Sequence, residues 1–243
     1  MTRLEVKNLT FQVQENGVER SIVENISFDV ADGEMLVITG PNGGGKSTLA
    51  KVLMGIEKAS AGQIILDGED ISNYDINHRA DAGIGYAFHQ TPRFKGMTVM
   101  KLLSLSAGKE LKREECCKLL STVGLCANEY IEREVDGTLS GGEMKRLEIA
   151  TVLAKSHKLC IFDEPEAGID LWSFNSLIKV FEKMRDEING SILIISHQER
   201  ILNIADKIIV IANGSVDSIG SKEEIMPRLM NQPSTCKTLT DKA

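Results

Sequence analysis

Long apolar stretches are missing from this sequence. No run of about 18 uncharged apolar residues occurs, the length that a membrane-spanning helix requires. The N-terminal stretch MTRLEVKNLT also lacks the apolar core of a signal peptide. We therefore expect a cytoplasmic protein that reaches the inner face of a membrane only through a partner.

Excess positive charge and paired cysteines are missing as well. The formal net charge is −7, and the lysines and arginines are scattered rather than grouped. We therefore expect no nucleic-acid partner bound through overall electrostatics. The five cysteines form no CxxC pair and no zinc spacing, which predicts reduced thiols. Cys160 lies in an apolar run and is expected in the core.

The most specific pattern that is present is rich in glycine. The stretch GPNGGGKST fits GxxxxGK[ST], a loop whose backbone N–H groups surround phosphates while its lysine reaches the terminal ones. The run MLVIT before it suits a buried strand, and Ser47 to Leu53 suits a helix whose N-terminus favours anions. Ser47 is expected to place its hydroxyl on Mg²⁺. The residues expected to bind phosphates are Gly40, Pro41, Asn42, Gly43, Gly44, Gly45, Lys46, Ser47 and Thr48. This loop alone would also suit a kinase or a GTPase.

Two later apolar runs bring polar side chains to the same predicted sheet edge. LCIFDE ends in Asp163 and Glu164, and SILIIS is followed by His197. Ligands of α/β sheets bind where the strands end at their carboxyl termini. We expect Asp163 to hold Mg²⁺ through water and Glu164 to polarise the attacking water. His197 is suited to donate to a phosphate oxygen.

The order of patterns along the chain predicts an α/β fold. Alternating segments within 1–30 and the run Gly62 to Leu66 suggest strands, the first two antiparallel. Helix-like spacing from Thr91 to Glu134 predicts a helical insert. Parallel strands between helices are expected at 159–162, 192–195 and 207–211. The predicted bounds are 1–90 and 139–230 for the core, 91–138 for a helical subdomain and 231–243 for a flexible tail.

A second glycine-containing motif, LSGGE, follows the helical insert. Ser140, Gly141 and Gly142 open a predicted helix and offer backbone N–H groups and a hydroxyl to an anion. Because the chain already has one phosphate loop, this second site makes sense if it covers a nucleotide bound by another copy.

Together these motifs resemble the nucleotide-binding domain of the ATP-binding cassette (ABC) ATPases. The family's Walker A motif falls on GPNGGGKST, its signature on LSGGE and its Walker B motif with the catalytic glutamate on LCIFDE. Its D-loop falls on Ala167 to Asp170, and its switch histidine on His197. The resemblance implies a P-loop NTPase core with a mixed, mainly parallel sheet, an antiparallel β subdomain and a helical insert. It also implies Mg²⁺-dependent ATP hydrolysis in a head-to-tail dimer, with Ser140, Gly141, Gly142 and Asp170 near the nucleotide.

Two positions depart from the family pattern. The Q-loop glutamine usually follows an aromatic residue directly, but YAFHQTP has His89 at that place and Gln90 one residue later. Either can serve Mg²⁺ and the coupling to a partner, with Gln90 the assigned ligand. The adenine-stacking aromatic is also open, because Val13 occupies the expected place and Phe11 suits the core equally well.

Three roles are compatible with these motifs. The stretch SGGEMKR, together with EAGID and SHQERIL, resembles the SufC-type ATPases of iron–sulfur cluster assembly, which implies a SufB/SufD-like scaffold as partner. The alternative is the ATP-binding subunit of a membrane transporter, with a transmembrane permease as partner. A nucleotide switch that scarcely hydrolyses ATP is disfavoured, because Lys46, Asp163, Glu164 and His197 are all in place.

The start of the helical insert is a candidate partner surface. Arg93, Phe94, Lys95 and Met97 combine basic residues with an aromatic residue that suits an interface anchor. An ordinary loop with Phe94 packed inward is the alternative.

Overall fold

The secondary structure of the chain alternates strands and helices over most of its length. A computed structural model describes residues 1–15, 17–187 and 190–231, so the predicted flexible tail lies outside the described residues except for residue 231. The strands are β1 Thr2–Glu15, β2 Val18–Ala31, β3 Met35–Thr39, β4 Ala61–Leu66, β5 Glu69–Asp70, β6 Ile84–Ala87, β7 Phe94–Thr98, β8 Glu134–Val135, β9 Leu159–Asp163, β10 Ser191–Ile195, β11 Lys207–Ala212 and β12 Ser215–Ser221. The helices are α1 Lys46–Met54, α2 Ile76–Ala82, α3 Val99–Ala107, α4 Arg113–Thr122, α5 Ala127–Tyr130, α6 Gly141–Leu153, α7 Leu171–Glu187, α8 Glu199–Leu202 and α9 Lys222–Asn231.

The larger sheet has the strand order β12-β11-β3-β10-β9-β6. All neighbours pair in parallel except β11 and β12, which are antiparallel. Every residue of β3, β9 and β10 is buried, as expected for parallel strands covered on both faces. The predicted mixed, mainly parallel sheet is therefore confirmed.

Alternate residues of the central strands feed two separate cores. Met35 and Val37 of β3 pack with the helical side of the molecule, whereas Leu36 and Ile38 pack towards α1 and the second sheet. This follows from the two-residue period of a strand. Cys160, predicted to be a core residue, is only 3% exposed.

The second sheet is antiparallel, with the order β2-β1-β4-β5. Its long β1–β2 hairpin confirms the strands predicted within 1–30, and Leu4 pairs with Val30 across it. The polar stretch 14–20 favours a turn between the two strands, but the strands continue to Glu15 and resume at Val18, so they extend into that stretch. The predicted strand at 62–66 is also confirmed, within β4.

The predicted helical insert contains α3, α4 and α5, but it is bounded by a short β-ribbon that the sequence did not indicate. Strands β7 and β8 pair there, with Phe94 opposite Val135. The backbone N–H of Val99 continues the link by donating to the carbonyl of Arg133 at 2.9 Å. One hydrophobic core below the larger sheet extends from β3 into α3 and α4. Packing therefore does not separate the helical subdomain from the rest, and its bounds stay a prediction.

None of the helices among the described residues is both long and apolar enough to cross a membrane.

Arg79 of α2 stabilises the end of α1. Its side chain is buried, and its guanidinium donates to the carbonyls of Val52 at 2.6 Å, Leu53 at 2.7 Å, Ser72 at 3.0 Å and Tyr74 at 3.1 Å. The last carbonyls of a helix have no partner within the helix and need donors from elsewhere. Arg79 therefore supplies hydrogen-bond donors to the C-terminal end of α1, the helix that follows the phosphate loop.

We predict that Arg79→Ala lowers the free energy of unfolding by about 2–4 kcal/mol, because buried carbonyls that lose a donor cost ~1–3 kcal/mol each. Urea unfolding followed by circular dichroism measures this loss. The control is Arg113→Ala, which removes an exposed ion pair with Glu132 at 3.1 Å and should cost less than about 1 kcal/mol. Equal losses in the two variants would contradict the role assigned to Arg79.

Candidate active site

The phosphate loop connects β3 to α1 and requires glycine at its turns. A Cβ atom on Gly40 would lie 2.0 Å from the carbonyl oxygen of Ile211, and one on Gly45 would lie 2.6 Å from that of Ile22. Both glycines also have positive φ angles, 132° and 97°. The loop is therefore held between β11 and β2 in a shape that other residues could not adopt without moving the backbone.

Lys46 lies inside this loop and supports it. Its ammonium group donates to the carbonyls of Gly40 at 2.8 Å and Pro41 at 2.9 Å. Desolvation lowers the pKa of Lys46, while the negative charges of Glu164 and Asp163 act in the opposite direction. No side chain among the described residues caps the start of α1, and its first turn contains no acidic residue. The N-terminus of α1 is thus suited to an anionic phosphate.

Ser47 and Asp163 place two oxygen ligands side by side. The hydroxyl of Ser47 donates to Oδ1 of Asp163 at 3.0 Å, and Asp163 is fully buried at the end of β9. Desolvation is the main cause that raises the pKa of Asp163, and the bond from Ser47 opposes it. A divalent cation beside this carboxylate would favour its charged form, and hydroxyl and carboxylate oxygens are the ligands that Mg²⁺ prefers.

A cation at this point would need more than carboxylates and imidazoles. Within 1–15, 17–187 and 190–231, no group of three or more His, Cys, Asp and Glu side chains is placed to hold a metal ion. Ser47 and the phosphate oxygens of a bound nucleotide would complete the set.

Glu164 turns out of its strand towards the phosphate loop. Its φ angle is 47°, in the left-handed region, and its backbone N–H donates to the carbonyl of Ile195 at 3.0 Å. Its side chain reaches a cavity of ≈ 540 Å³ together with His197. The cavity is lined by Ile22, Asn42, Gly43, Gly44, Gly45, Lys46, Ser47, Thr48, His89, Glu164 and His197. The predicted phosphate loop, glutamate and switch histidine therefore meet at one place.

His89, rather than Gln90, faces this cavity. Nδ1 of His89 lies 3.2 Å from Oε2 of Glu164, whereas Gln90 is exposed and is not a lining residue. Phe11 and Val13 are not lining residues either, and Phe11 packs against the core beside the antiparallel sheet. The cation role of Gln90 stays a prediction, and the residue that contacts adenine stays open.

Sequence reasoning missed a buried ion pair on α6. Lys145 and Glu148 are 2% and 6% exposed, and their charged groups are 3.4 Å apart. Nζ of Lys145 donates to the carbonyl of Phe88 and, at 3.3 Å, to that of His89. Glu148 accepts from the N–H of Phe88 at 2.7 Å and from the hydroxyl of Thr91 at 2.9 Å. Opposite charges at i and i+3 are also the usual pattern of an exposed helix face, so the sequence alone did not indicate that this pair is buried.

A further missed residue is Glu166, after the acidic pair. Its Oε1 accepts from the hydroxyl of Ser196 at 2.6 Å, and that hydroxyl oxygen accepts from the N–H of Gln198 at 3.0 Å. Burial raises the pKa of Glu166. This contact connects the segment after β9 to the segment that carries His197.

The LSGGE motif starts α6 with a capping box. The hydroxyl of Ser140 accepts from the N–H of Glu143 at 3.3 Å, and Glu143 accepts from the N–H of Ser140 at 2.7 Å. The hydroxyl of Tyr130 also donates to Glu143, which lowers the pKa of that carboxyl. Ser140, Gly141 and Gly142 do not line the cavity of their own chain, and neither does Asp170, whose Oδ1 accepts from the N–H of Ser173 at 3.0 Å.

Comparison with known proteins agrees with this geometry. The family model described as ABC transporter matches residues 23–167, more than half of the chain. The chain therefore belongs to this family and is an ATPase of the ABC type, with the P-loop NTPase fold that the motifs indicated.

Two relatives and one solved structure are similar to most of this chain. An uncharacterized ABC transporter ATP-binding protein of Methanocaldococcus jannaschii is 38% identical, over 85% of this chain and 85% of its own length. The lipopolysaccharide export system ATP-binding protein LptB of Haemophilus influenzae is 32% identical, over 85% of this chain and 87% of its own length. A solved ABC transporter cassette in its ADP conformation is 29% identical, with a TM-score of 0.77 over 95% of this chain and 96% of that one. None of these names refers to iron–sulfur cluster assembly, so they do not confirm the SufC-type resemblance.

Proposed function

We propose that the cavity binds ATP with Mg²⁺ and hydrolyses it, and the observation that carries this is the meeting of the phosphate loop, Asp163, Glu164 and His197 at one sheet edge. Lys46 and the loop amides bind the phosphates. Ser47 and Asp163 would hold Mg²⁺, with Gln90 the remaining candidate ligand, and the cation would neutralise charge on the β- and γ-phosphates.

The chemical step then uses Glu164 and His197. The oxygen of a water molecule bonds to the γ-phosphorus, the bond from that phosphorus to the oxygen bridging to ADP breaks, and Glu164 accepts the proton of the water. His197 donates to a γ-phosphate oxygen and stabilises its developing charge.

We predict that Glu164→Gln lowers kcat for ATP about 100- to 1,000-fold, because a general base contributes about that factor. The KM for ATP should change little, since the phosphate loop is untouched. A coupled phosphate-release assay measures both constants. Unchanged hydrolysis would contradict the role of Glu164, and negligible hydrolysis in the unmodified chain would favour a nucleotide switch.

The placement of the signature motif supports a head-to-tail dimer. Ser140, Gly141 and Gly142 lie outside the cavity of their own chain, although they carry a hydroxyl and backbone N–H groups at the start of a helix. We propose that they cover the ATP bound by a second copy, whose own motif covers the first ATP. Asp170, in the adjacent segment, would lie at the same contact between copies.

Complementation between two inactive chains tests this arrangement. Lys46→Met removes the phosphate-binding ammonium, and Gly141→Asp adds a negative charge where an added Cβ would meet no atom within 4 Å in its own chain. Each variant alone should be inactive. An equimolar mixture should recover up to about a quarter of the unmodified rate, because mixed dimers keep one intact site. A mixture that co-purifies as a heterodimer but stays inactive would contradict the proposal.

We further propose that hydrolysis drives a separate partner protein. An apolar groove of ≈ 220 Å³ lies between α3 and α6, beside the loop that carries His89. Phe88, Phe94 and Leu105 line it and are 36%, 37% and 67% exposed. Exposed Arg93 and Lys95 flank Phe94, whereas Met97 is half-buried against the core. The groove suits an apolar segment of a partner with acidic neighbours.

The first candidate partner is a transmembrane permease. The relatives described above bear the names of transporter ATP-binding proteins, and one belongs to an export system. The chain would then be the ATP-binding subunit of a membrane ABC transporter.

The second candidate partner is a soluble SufB/SufD-like scaffold. What favours it is the resemblance of the SGGEMKR stretch to the SufC-type ATPases. Affinity capture from the native source separates the two, since a permease is recovered from detergent-solubilised membranes and a scaffold from the soluble fraction.

We predict that Phe94→Ala with Lys95→Ala weakens partner capture at least about 10-fold, because an aromatic anchor and its adjacent charge carry much of the energy of an interface. Basal ATP hydrolysis should persist. The matched control is Ile219→Ala, which removes an apolar side chain that is 45% exposed on β12. Full capture by the double variant would place the partner elsewhere.

A further inference from the structure

His89 is a second histidine that lines the proposed ATP cavity, in addition to His197. Its Nδ1 lies 3.2 Å from Oε2 of Glu164, and the two side chains are 45% and 20% exposed. Both line the cavity with the phosphate loop and His197. This contact places His89 next to the proposed general base rather than on the outer surface of the loop.

The backbone around His89 is held from both sides by α6. Lys145 donates to the carbonyls of Phe88 and His89, while Glu148 accepts from the N–H of Phe88 and the hydroxyl of Thr91. The residues before and after His89 are therefore tied to a buried ion pair. With the backbone fixed in this way, only the side-chain torsions of His89 have to be ordered when it makes a directed hydrogen bond.

Glu164 needs such a contact because of where it lies. Its backbone leaves β9 with a φ angle of 47°, so the side chain is no longer ordered by the strand. A carboxylate with two equivalent oxygens can rotate away from the position that receives a proton. A donor on Oε2 fixes the plane of the carboxylate and leaves Oε1 to face the water.

We propose that His89 is a positioning residue for ATP hydrolysis, whose Nδ1–H donates to Oε2 of Glu164 and holds that carboxylate towards the attacking water. The inference rests on the proposed role of Glu164. Nδ1 carries a proton both in the imidazolium and in one neutral tautomer, so the bond does not require a charged ring.

Three substitutions at His89 separate the loss of the hydrogen-bond donor from the loss of side-chain volume. His89→Ala removes both, His89→Leu keeps bulk without a donor, and His89→Asn places an amide N–H near the position of Nδ1. We expect Ala and Leu to lower kcat about 10-fold with KM for ATP within about twofold, because a charge-assisted hydrogen bond is lost and phosphate contacts are not. His89→Asn should recover at least half of the unmodified kcat.

The matched control is His78→Ala. Nδ1 of His78 forms a hydrogen bond with Oδ1 of Asp75 at 2.9 Å, again a histidine beside a carboxylate, on an exposed surface of α2. Its loss should leave kcat unchanged. Failure of His89→Asn to exceed His89→Leu would overturn the proposal, as would an unchanged kcat in His89→Ala.

A double-mutant cycle with Glu164→Gln tests whether His89 acts through Glu164. In single-turnover hydrolysis with protein in excess, His89→Ala should cost less than about twofold in the Glu164→Gln background, because the carboxylate it positions is gone. A loss of about 10-fold in the Glu164→Gln background, equal to the loss in the unmodified background, would overturn the proposal.

Three further results have a defined meaning. A raised Mg²⁺ requirement in His89→Ala at fixed ATP, with kcat restored at saturating Mg²⁺, would assign His89 to the cation and overturn the positioning role. If Glu164→Gln itself leaves kcat unchanged, the proposed function of Glu164 fails. If Glu164→Gln is slow but His89→Ala is not, only the present inference fails.

Discussion

The parallel pairing of β10 between β3 and β9 determines where the chemistry lies. Ile195 is level with Ile38 on one side and with Asp163 on the other. The phosphate loop, the acidic pair and the segment carrying His197 therefore leave the sheet at one height. The ladder continues past the strand ends, since the N–H of Glu164 donates to the carbonyl of Ile195 and that of Ser196 to the carbonyl of Ile38. In strands buried on both faces, hydrophobic pattern alone does not set register, so these terminal bonds and the loops help to set it.

The buried pair Lys145–Glu148 adds a second constraint that the sheet does not supply. Buried charges are costly unless they are paired and hydrogen-bonded, and these two bond to each other and to the backbone of the loop at 88–91. Lys145 also donates to the carbonyl of Asp163 at 3.3 Å. Since α6 begins within the signature motif, this one helix connects the motif to the acidic end of β9 and to the loop beside the groove. A shift of α6 would therefore change the contacts at all three places.

The parts of the fold that sequence predicts well are those with a strong local signal. The runs at β3, β9 and β10 are uniformly apolar and end in residues of specific chemistry, so both the strands and the residues at their ends could be placed. The ribbon β7–β8 could not, because one of its strands has two residues and shows no periodicity. Whether His89 or Gln90 faces the cavity could not be read either. It depends on the irregular backbone after β6, which long-range contacts from α6 hold in place.

Gly141 illustrates how an unexplained residue type can point beyond the single chain. Gly142, its neighbour, has a reason within the chain, since an added Cβ would lie 3.0 Å from the carbonyl oxygen of Gly168. An added Cβ on Gly141 would meet nothing within 4 Å, and its φ angle is not in the left-handed region. Glycine at this position thus has no explanation within the isolated chain, and it fits the proposal that the phosphates of a nucleotide on a second copy approach the backbone amides closely.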